Sequence, residues 1–209
     1  LTESGGAVVI DANSPAATTT VSVGTNTIGV GDTAALTITA SETGLTCSAC
    51  TMNSGTLTGW TDNSDNTYTA TYTVVEGQTD RNAAASNFIS LVLADAAGNT
   101  NAAFTTLTEA GGAFVIDANS PAATTSVTGT SDSLGVGDVI TLTIVASEAS
   151  LTCSTCTMNG VTLTNWVNTV GSTYTARYTV VEGNTDRNAD ASNFISIVLS
   201  DGENTNAAY

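Results

Sequence analysis

The chain contains no lysine and no histidine, and its three arginines stand against nineteen acidic residues, a formal net charge of −16 over 209 residues. Without histidine the usual general base and the commonest metal-ligating nitrogen are missing. A Ser–His or Cys–His nucleophilic pair cannot be assembled from this chain alone. Without lysine, neither Lys–Asn isopeptide cross-links nor Lys-dependent covalent polymerisation can use the segment. An enzyme is therefore not expected. The acidic field opposes nucleic acid and anionic membrane surfaces, so neither is an expected partner. It suits divalent cations, although a solvated acidic face accounts for many of the carboxylates equally well. No apolar run of 18 residues is present, so no membrane-inserted helix is expected. The first residues do not read as a signal peptide, the expectation for a mature or excised segment. No Asn-x-Ser/Thr sequon occurs, because the "NSP" triplets end in proline.

What is present is a repeat. Leu1–Phe104 and Leu107–Tyr209 superimpose at an offset of 106 residues, with one residue deleted late in the second copy. They agree at roughly two-thirds of positions, and a period near 100 residues suits a β-sandwich domain rather than a solenoid unit. Within each copy, period-2 alternation rich in Thr, Val and Ile predominates and no segment reads as helix. In copy one the strands are expected at "TTTVSV" (18–23), "TAALTITAS" (33–41), "LTCSACTMN" (45–53), "GTLTGW" (55–60), "TYTATYTVV" (67–75) and "FISLVLAD" (88–95). An interrupted last strand runs through 102–116, with Gly111–Gly112 marking a bulge or step. The few aromatics (Trp60, Trp166, Tyr72, Tyr178, Phe88 and Phe194) read as core or cross-strand packing. The fold class is all-β: two tandem Ig-like β-sandwiches, with an extra N-terminal strand and a second domain lacking most of its last strand. The boundaries follow as 1–14 for the strand and linker, 15–118 for domain 1 and 119–209 for domain 2.

The linker "IDANSPA", the strand ending "TASE", the "TYTATYTV" strand, the acidic "EGQTD" turn and "LADAAGNTNAA" resemble the bacterial Ig-like repeats of giant surface adhesins, including the extender regions of RTX-type adhesins. The resemblance spans essentially the whole chain. It implies an extracellular, cell-surface fibre of β-sandwiches joined head to tail to identical units, with calcium at the junctions. The "CSAC" insertion and the small number of repeats depart from that pattern.

Calcium takes six to eight oxygens and needs neither nitrogen nor sulfur. Ig connectivity gathers the entering linker with the turns after the second and sixth strands at one pole, and the exit linker with the other turns at the opposite pole. At the junction between domains the candidate ligands are Asp117, Asn119, Glu148 and Asp201, with Glu76, Asp80, Asn82 and Asp32 from the preceding domain. The outer-pole equivalents are Asp11, Asn13, Glu42 and Asp95 at one end, and Glu182, Asp186, Asn188 and Asp138 at the other. The competing account is ordinary turn chemistry, in which Asp and Asn cap their own loops. Asp80–Arg81 and Asp186–Arg187 also read as candidate local ion pairs.

One Cys-x-x-Cys stands in each copy, Cys47/Cys50 and Cys153/Cys156. A Cys₄ zinc site would need both pairs together, and a thioredoxin-type role needs a helix and a βαβ setting. A local disulfide in an oxidising exterior is the preferred reading, with buried free thiols next. Residues i and i+3 of a regular strand face opposite sides, so the bond requires a bend there.

The register of the repeats raises one more expectation. "LTESGGAVVIDA" (1–12) is the counterpart of "LTEAGGAFVIDA" (107–118), the closing part of the last strand. Ala7, Val8, Val9 and Ile10 are thus expected either to complete the second domain of a neighbouring subunit, or to be the tail of a preceding repeat in a long covalent array. An uncovered sheet edge is a template for added strands, and a heterologous contact that does not close propagates into a filament. Recognition of glycan or protein by the pole loops is the other class of function; it would predict exposed aromatics or strongly divergent loops.

Overall fold

The computed structural model describes residues 8–23, 26–81, 88–110, 114–128, 133–187 and 194–208. The chain divides into two compact units, Leu1–Ala118 and Asn119–Tyr209. Ala7, Asn82 and Asn188 fall outside the described residues, as do Gly111 and Gly112.

Unit 1 runs β1 (Ala17–Ser22), β2 (Thr27–Ile28), β3 (Thr33–Ala40), β4 (Thr46–Met52), β5 (Gly55–Thr56), β6 (Thr58–Asp62), β7 (Thr67–Thr73), β8 (Ile89–Ala94), β9 (Thr108–Ala110) and β10 (Val115–Ile116). Unit 2 runs β11 (Ala123–Thr128), β12 (Val139–Ala146), β13 (Thr152–Met158), β14 (Val161–Thr162), β15 (Thr164–Val170), β16 (Thr173–Thr179) and β17 (Ile195–Ser200).

In unit 1 one sheet has the order β6-β7-β3-β1-β9 and the facing one β5-β4-β8, while β10 pairs with β2. Alternation builds this sandwich. In β3 the side chains of Ala34, Leu36, Ile38 and Ala40 point inward and the intervening Thr and Ala residues outward. Tyr68, Ala70 and Tyr72 of β7 and Ile89, Leu91 and Leu93 of β8 complete the same core. Each fully buried Leu or Ile contributes about 1.5–3 kcal/mol, and the outward Thr residues favour the pleated backbone. Unit 2 repeats the plan with sheets β11-β12-β16-β15 and β14-β13-β17. The fold is all-β and Ig-like in arrangement.

Three local features depart from the sequence reading. The expected single strand 55–60 is two strands: β5 pairs with β4, and β6 pairs with β7 in the other sheet. The chain crosses between layers at Leu57, whose amide still donates to Cys50 O at 3.0 Å. Residues 102–107 form no strand; Phe104 alone bridges Leu91. The side chain of Asn101 does part of that pairing instead, accepting from Leu93 N and donating to Leu91 O at 2.9 Å. Asn206 occupies the same role against Leu199 and Ile197 in unit 2.

The cysteines are bonded as Cys47–Cys50 and Cys153–Cys156, each pair with Cα atoms 5.9 Å apart. The bend they require is a β-bulge. Cys47 pairs with Leu93 and Ala49 with Val92, leaving Ser48 as an extra residue; Ser154 is the extra residue in β13. The inserted residue turns both cysteine side chains to the same side of the strand.

Candidate functional site

Among the described residues, charged side chains converge at two places. The first is the outer pole of unit 1. Tyr68, on β7, stacks against Trp60 with ring centroids 5.0 Å apart. Its hydroxyl accepts from Leu45 N at 3.0 Å and donates to Glu42 O at 2.9 Å, so one phenol grips both ends of the 42–45 turn. Burial raises the Tyr68 pKa above its ordinary value, with a smaller opposing effect from the Leu45 amide. This turn presents Glu42 toward the linker and the turn after β8. Carboxylate oxygens of Asp11, Glu42 and Asp95 lie within 4.8 Å of one another.

Asn99 ties the group together. It donates to Asp95 Oδ2 at 2.8 Å and to Asp11 O at 3.3 Å, and its amide donates to Asp95 Oδ1 at 2.9 Å. Desolvation pushes the Asp95 carboxyl up, but the bonds from the Asn99 side chain and the Asn99, Ala97 and Gly98 amides outweigh it. The net pKa is lowered from 3.8. Asn13 donates its amide to Asp11 Oδ1 at 3.1 Å. The donor set is oxygen throughout and partly open to solvent, which fits a hard divalent cation completed by water.

The remaining candidates sit within their own units. In unit 1, Asp80 Oδ1 accepts from Ala118 N at 2.8 Å, and Gly77 N donates to Ala118 O at 2.9 Å. Asp80 therefore anchors the exit linker. Asp32 caps its own turn through Gly29 N at 3.0 Å, Glu76 is exposed, and Asp117 donates its amide to Ile28 O at 3.0 Å. In unit 2, Asp201 Oδ1 accepts from the Glu203 and Asn204 amides at 2.8 and 2.7 Å. Asn204 reaches Asn119 O at 3.5 Å, and Glu148 Oε1 faces the Ser147 hydroxyl at 3.5 Å. Asp138 repeats the cap of Asp32 through Gly135 N at 2.8 Å, while Glu182 and Asp186 are exposed.

The second place, which the sequence reading missed, is the closing edge of unit 1. Here β9 lies parallel to β1, with Glu109 beside Val21, and β10 lies parallel to β2, with Ile116 beside Ile28. Arg81, only 4% exposed, forms an ion pair with Glu109. Its guanidinium lies 3.5 Å from the Phe88 ring centroid and 5.0 Å from that of Phe114. Nη1 donates to Phe114 O at 3.3 Å, and the Arg81 and Ile116 backbones exchange two hydrogen bonds of 2.8 Å. Removing one partner of such a buried pair costs about 3–5 kcal/mol, because the other charge is left buried and uncompensated. The sequence signal for it is the acid Glu109, which recurs as Glu3 in the matching N-terminal stretch.

In unit 2 the counterpart residues are more exposed. Val127, the counterpart of Val21, is 45% exposed against 1%, and Leu134 is 36% exposed against 3% for Ile28. Arg187, the counterpart of Arg81, is exposed. Its Nε donates to Asn159 Oδ1 at 2.8 Å, and its guanidinium is 6.0 Å from the Phe194 ring. Val8, Val9 and Ile10, which correspond to Phe114, Val115 and Ile116, lie outside any strand and are exposed, Ile10 by 87%.

Comparison with known proteins gives three results. No curated protein matches the chain. Among solved structures, the Escherichia coli adhesin FdeC is similar at 22% identity with a TM-score of 0.35, over 92% of this chain and 61% of that one. The chain thus spans less than two thirds of that relative's length. Residues 11–110, which carry the sandwich of unit 1, match the family model of the bacterial Ig-like domain.

Proposed function

We propose that the chain is a structural module of an extracellular fibre or adhesin stalk at the cell surface, in which Ig-like units join head to tail through a closing strand. The observation that carries this reading is the difference between two equivalent edges. In unit 1 β9 and β10 lie beside Val21 and Ile28, which are buried; in unit 2 Val127 and Leu134 are exposed. The exposed 8–10 segment carries nearly the same sequence as 114–116. An extended segment added to such an edge supplies main-chain hydrogen bonds and apolar cover together. The strand comes from a neighbouring subunit by donor-strand complementation. Deleting residues 1–12 tests this: subunits of the shortened chain stay unpolymerised, and fibres equal to those of the intact chain would refute donation. In the second arrangement the strand belongs to the next repeat of a longer covalent array. A denaturing gel of native fibres separates the two: a polymer of donated strands falls to about 21 kDa, the mass of the chain, and an array migrates as one giant chain.

Calcium at the poles is part of the same proposal. The convergence of Asp11, Glu42 and Asp95 supports it, because three carboxylates within 4.8 Å repel each other unless a cation is shared. Millimolar affinity suffices outside the cell. Calcium raises the melting temperature by mass action and a chelator lowers it; a melting curve identical in both would refute the site.

A further inference from the structure

We infer that each Cys-x-x-Cys bridge is a reducible register lock. A dithiol exchanges with it at Cys47 or Cys153, and reduction frees the preceding turn, 42–45 or 148–151, while the sandwich stays folded.

The lock follows from side-chain parity. Leu45 and Met52 are an odd number of residues apart, so in a regular strand they would face opposite sides of the sheet. Both are nevertheless in the core, 3% and 0% exposed. The extra residue Ser48 reconciles them: Met52 and Cys50 face inward beside Ile89 and Leu91, and beyond the bulge Cys47 faces inward beside Leu93, with Leu45 next. The bridge spans that extra residue. Leu45 in turn holds its own turn, its amide donating to the Tyr68 hydroxyl at 3.0 Å and its carbonyl accepting from Trp60 Nε1 at 3.2 Å. Slipping the bulge out would turn Leu45 to solvent and break both bonds. Unit 2 repeats every part. Leu151 is 4% exposed, Ser154 is the extra residue, and Tyr174 and Trp166 hold Leu151 at 2.9 and 3.4 Å. A bridge closing so short a loop adds little to global stability, and the β1–β3 and β3–β7 ladders do not include it. Its loss therefore acts locally.

Exposure selects the sulfur that is attacked. Cys50 and Cys156 are 3% and 2% exposed, whereas Cys47 and Cys153 are half-buried. A thiolate of the dithiol attacks Cys47 Sγ, the bridge breaks, and its electron pair leaves on Cys50 Sγ, which takes up a proton. Val92 O, 3.9 Å from Cys50 Sγ, is placed to accept a hydrogen bond from the new thiol, as is Val198 O, 3.8 Å from Cys156 Sγ. The reagent's second thiolate then attacks the reagent sulfur of the mixed disulfide, so that Cys47 leaves as a thiol and the reagent as a cyclic disulfide. Each bridge gains two electrons and two protons, and the dithiol loses them.

Hydrogen exchange on the full chain, with and without dithiothreitol, is the test. Reduction should speed exchange at the Leu45 and Leu151 amides about tenfold or more and leave the amides of β3 and β12 as protected as before. Replacing both Cys47→Ser and Cys50→Ser should give fast Leu45 exchange without reductant, while Leu151 still responds to it. A monothiol adduct trapped by acid should map to Cys47 and Cys153. Unchanged exchange at both leucine amides in the fully reduced chain would overturn the lock. So would loss of protection throughout β3 and β12, because the bridge would then staple the whole sandwich. Adducts mainly on Cys50 and Cys156 would overturn the point of attack.

Discussion

Val21 and Val127 hold the same place in the same strand of two repeats, yet the first is 1% exposed and the second 45%. The strands beneath them are alike: β3 and β12 both pair in register with their neighbours on either side. The tyrosine grip recurs as well, with Tyr174 reaching Leu151 N at 2.9 Å and Glu148 O at 3.4 Å. What differs is the cover that β9 and β10 give the edge of unit 1. The core of an Ig-like unit is thus made of two parts, a framework that alternation within the repeat specifies and a lid that belongs, by sequence position, to the linker into the next repeat.

The largest difference between the units should arise from changes in β9, β10 and Phe114. Phe114→Ala should cost unit 1 about 3–5 kcal/mol, whereas Val8→Ala, its counterpart, should change the stability of the isolated chain by less than about 0.5 kcal/mol. Calorimetry that follows both transitions checks this. Arg81→Ala should destabilise unit 1 by about 3 kcal/mol or more, leaving Glu109 buried and unpaired, while Arg187→Ala should have almost no effect on unit 2. Equal losses in the two units would remove the distinction on which the account rests.

Changes to the shared framework should act on both units alike. Reducing Cys47–Cys50 and Cys153–Cys156 opens loops of only a few residues, so each unit should lose about 2 kcal/mol or less. Tyr68→Phe and Tyr174→Phe should each cost about 1 kcal/mol through the loss of the turn-gripping hydroxyl. The smallest effect concerns acid. Asp95 has a lowered pKa in the folded chain, so its contribution is fully present above its ordinary value of 3.8 and is lost as pH falls through the lower folded value. Asp95→Asn should flatten that acid limb of unit 1's melting temperature and leave unit 2 unchanged.

Much of the framework was legible in the sequence because period-2 alternation maps directly onto inside and outside. "TAALTITA" and "TYTATYT" state their own faces. The position of Cys-x-x-Cys within a strand required a bend, and the bulges at Ser48 and Ser154 are that bend. Connectivity alone placed Asp11, Glu42 and Asp95 at one pole, where their oxygens now lie close together. Other features had no local signal. The crossing of layers at Leu57 splits a run whose composition is uniform, and pairing partners far away in sequence decide it. Asn101 imitates a strand with its side chain, and composition reads such a residue as a loop. The Arg81–Glu109 pair joins residues 28 positions apart with no shared local pattern, so nothing in the sequence around either one points to the other.

Hydrogen exchange on the chain lacking residues 1–12, with and without a peptide of sequence 1–12, tests the central claim most directly. The peptide should slow exchange at Val127, Leu134 and Arg187 and leave Val21, Ile28 and Arg81 unchanged, because their edge is already covered. Unchanged exchange along β11, or equal protection of both units, would contradict it.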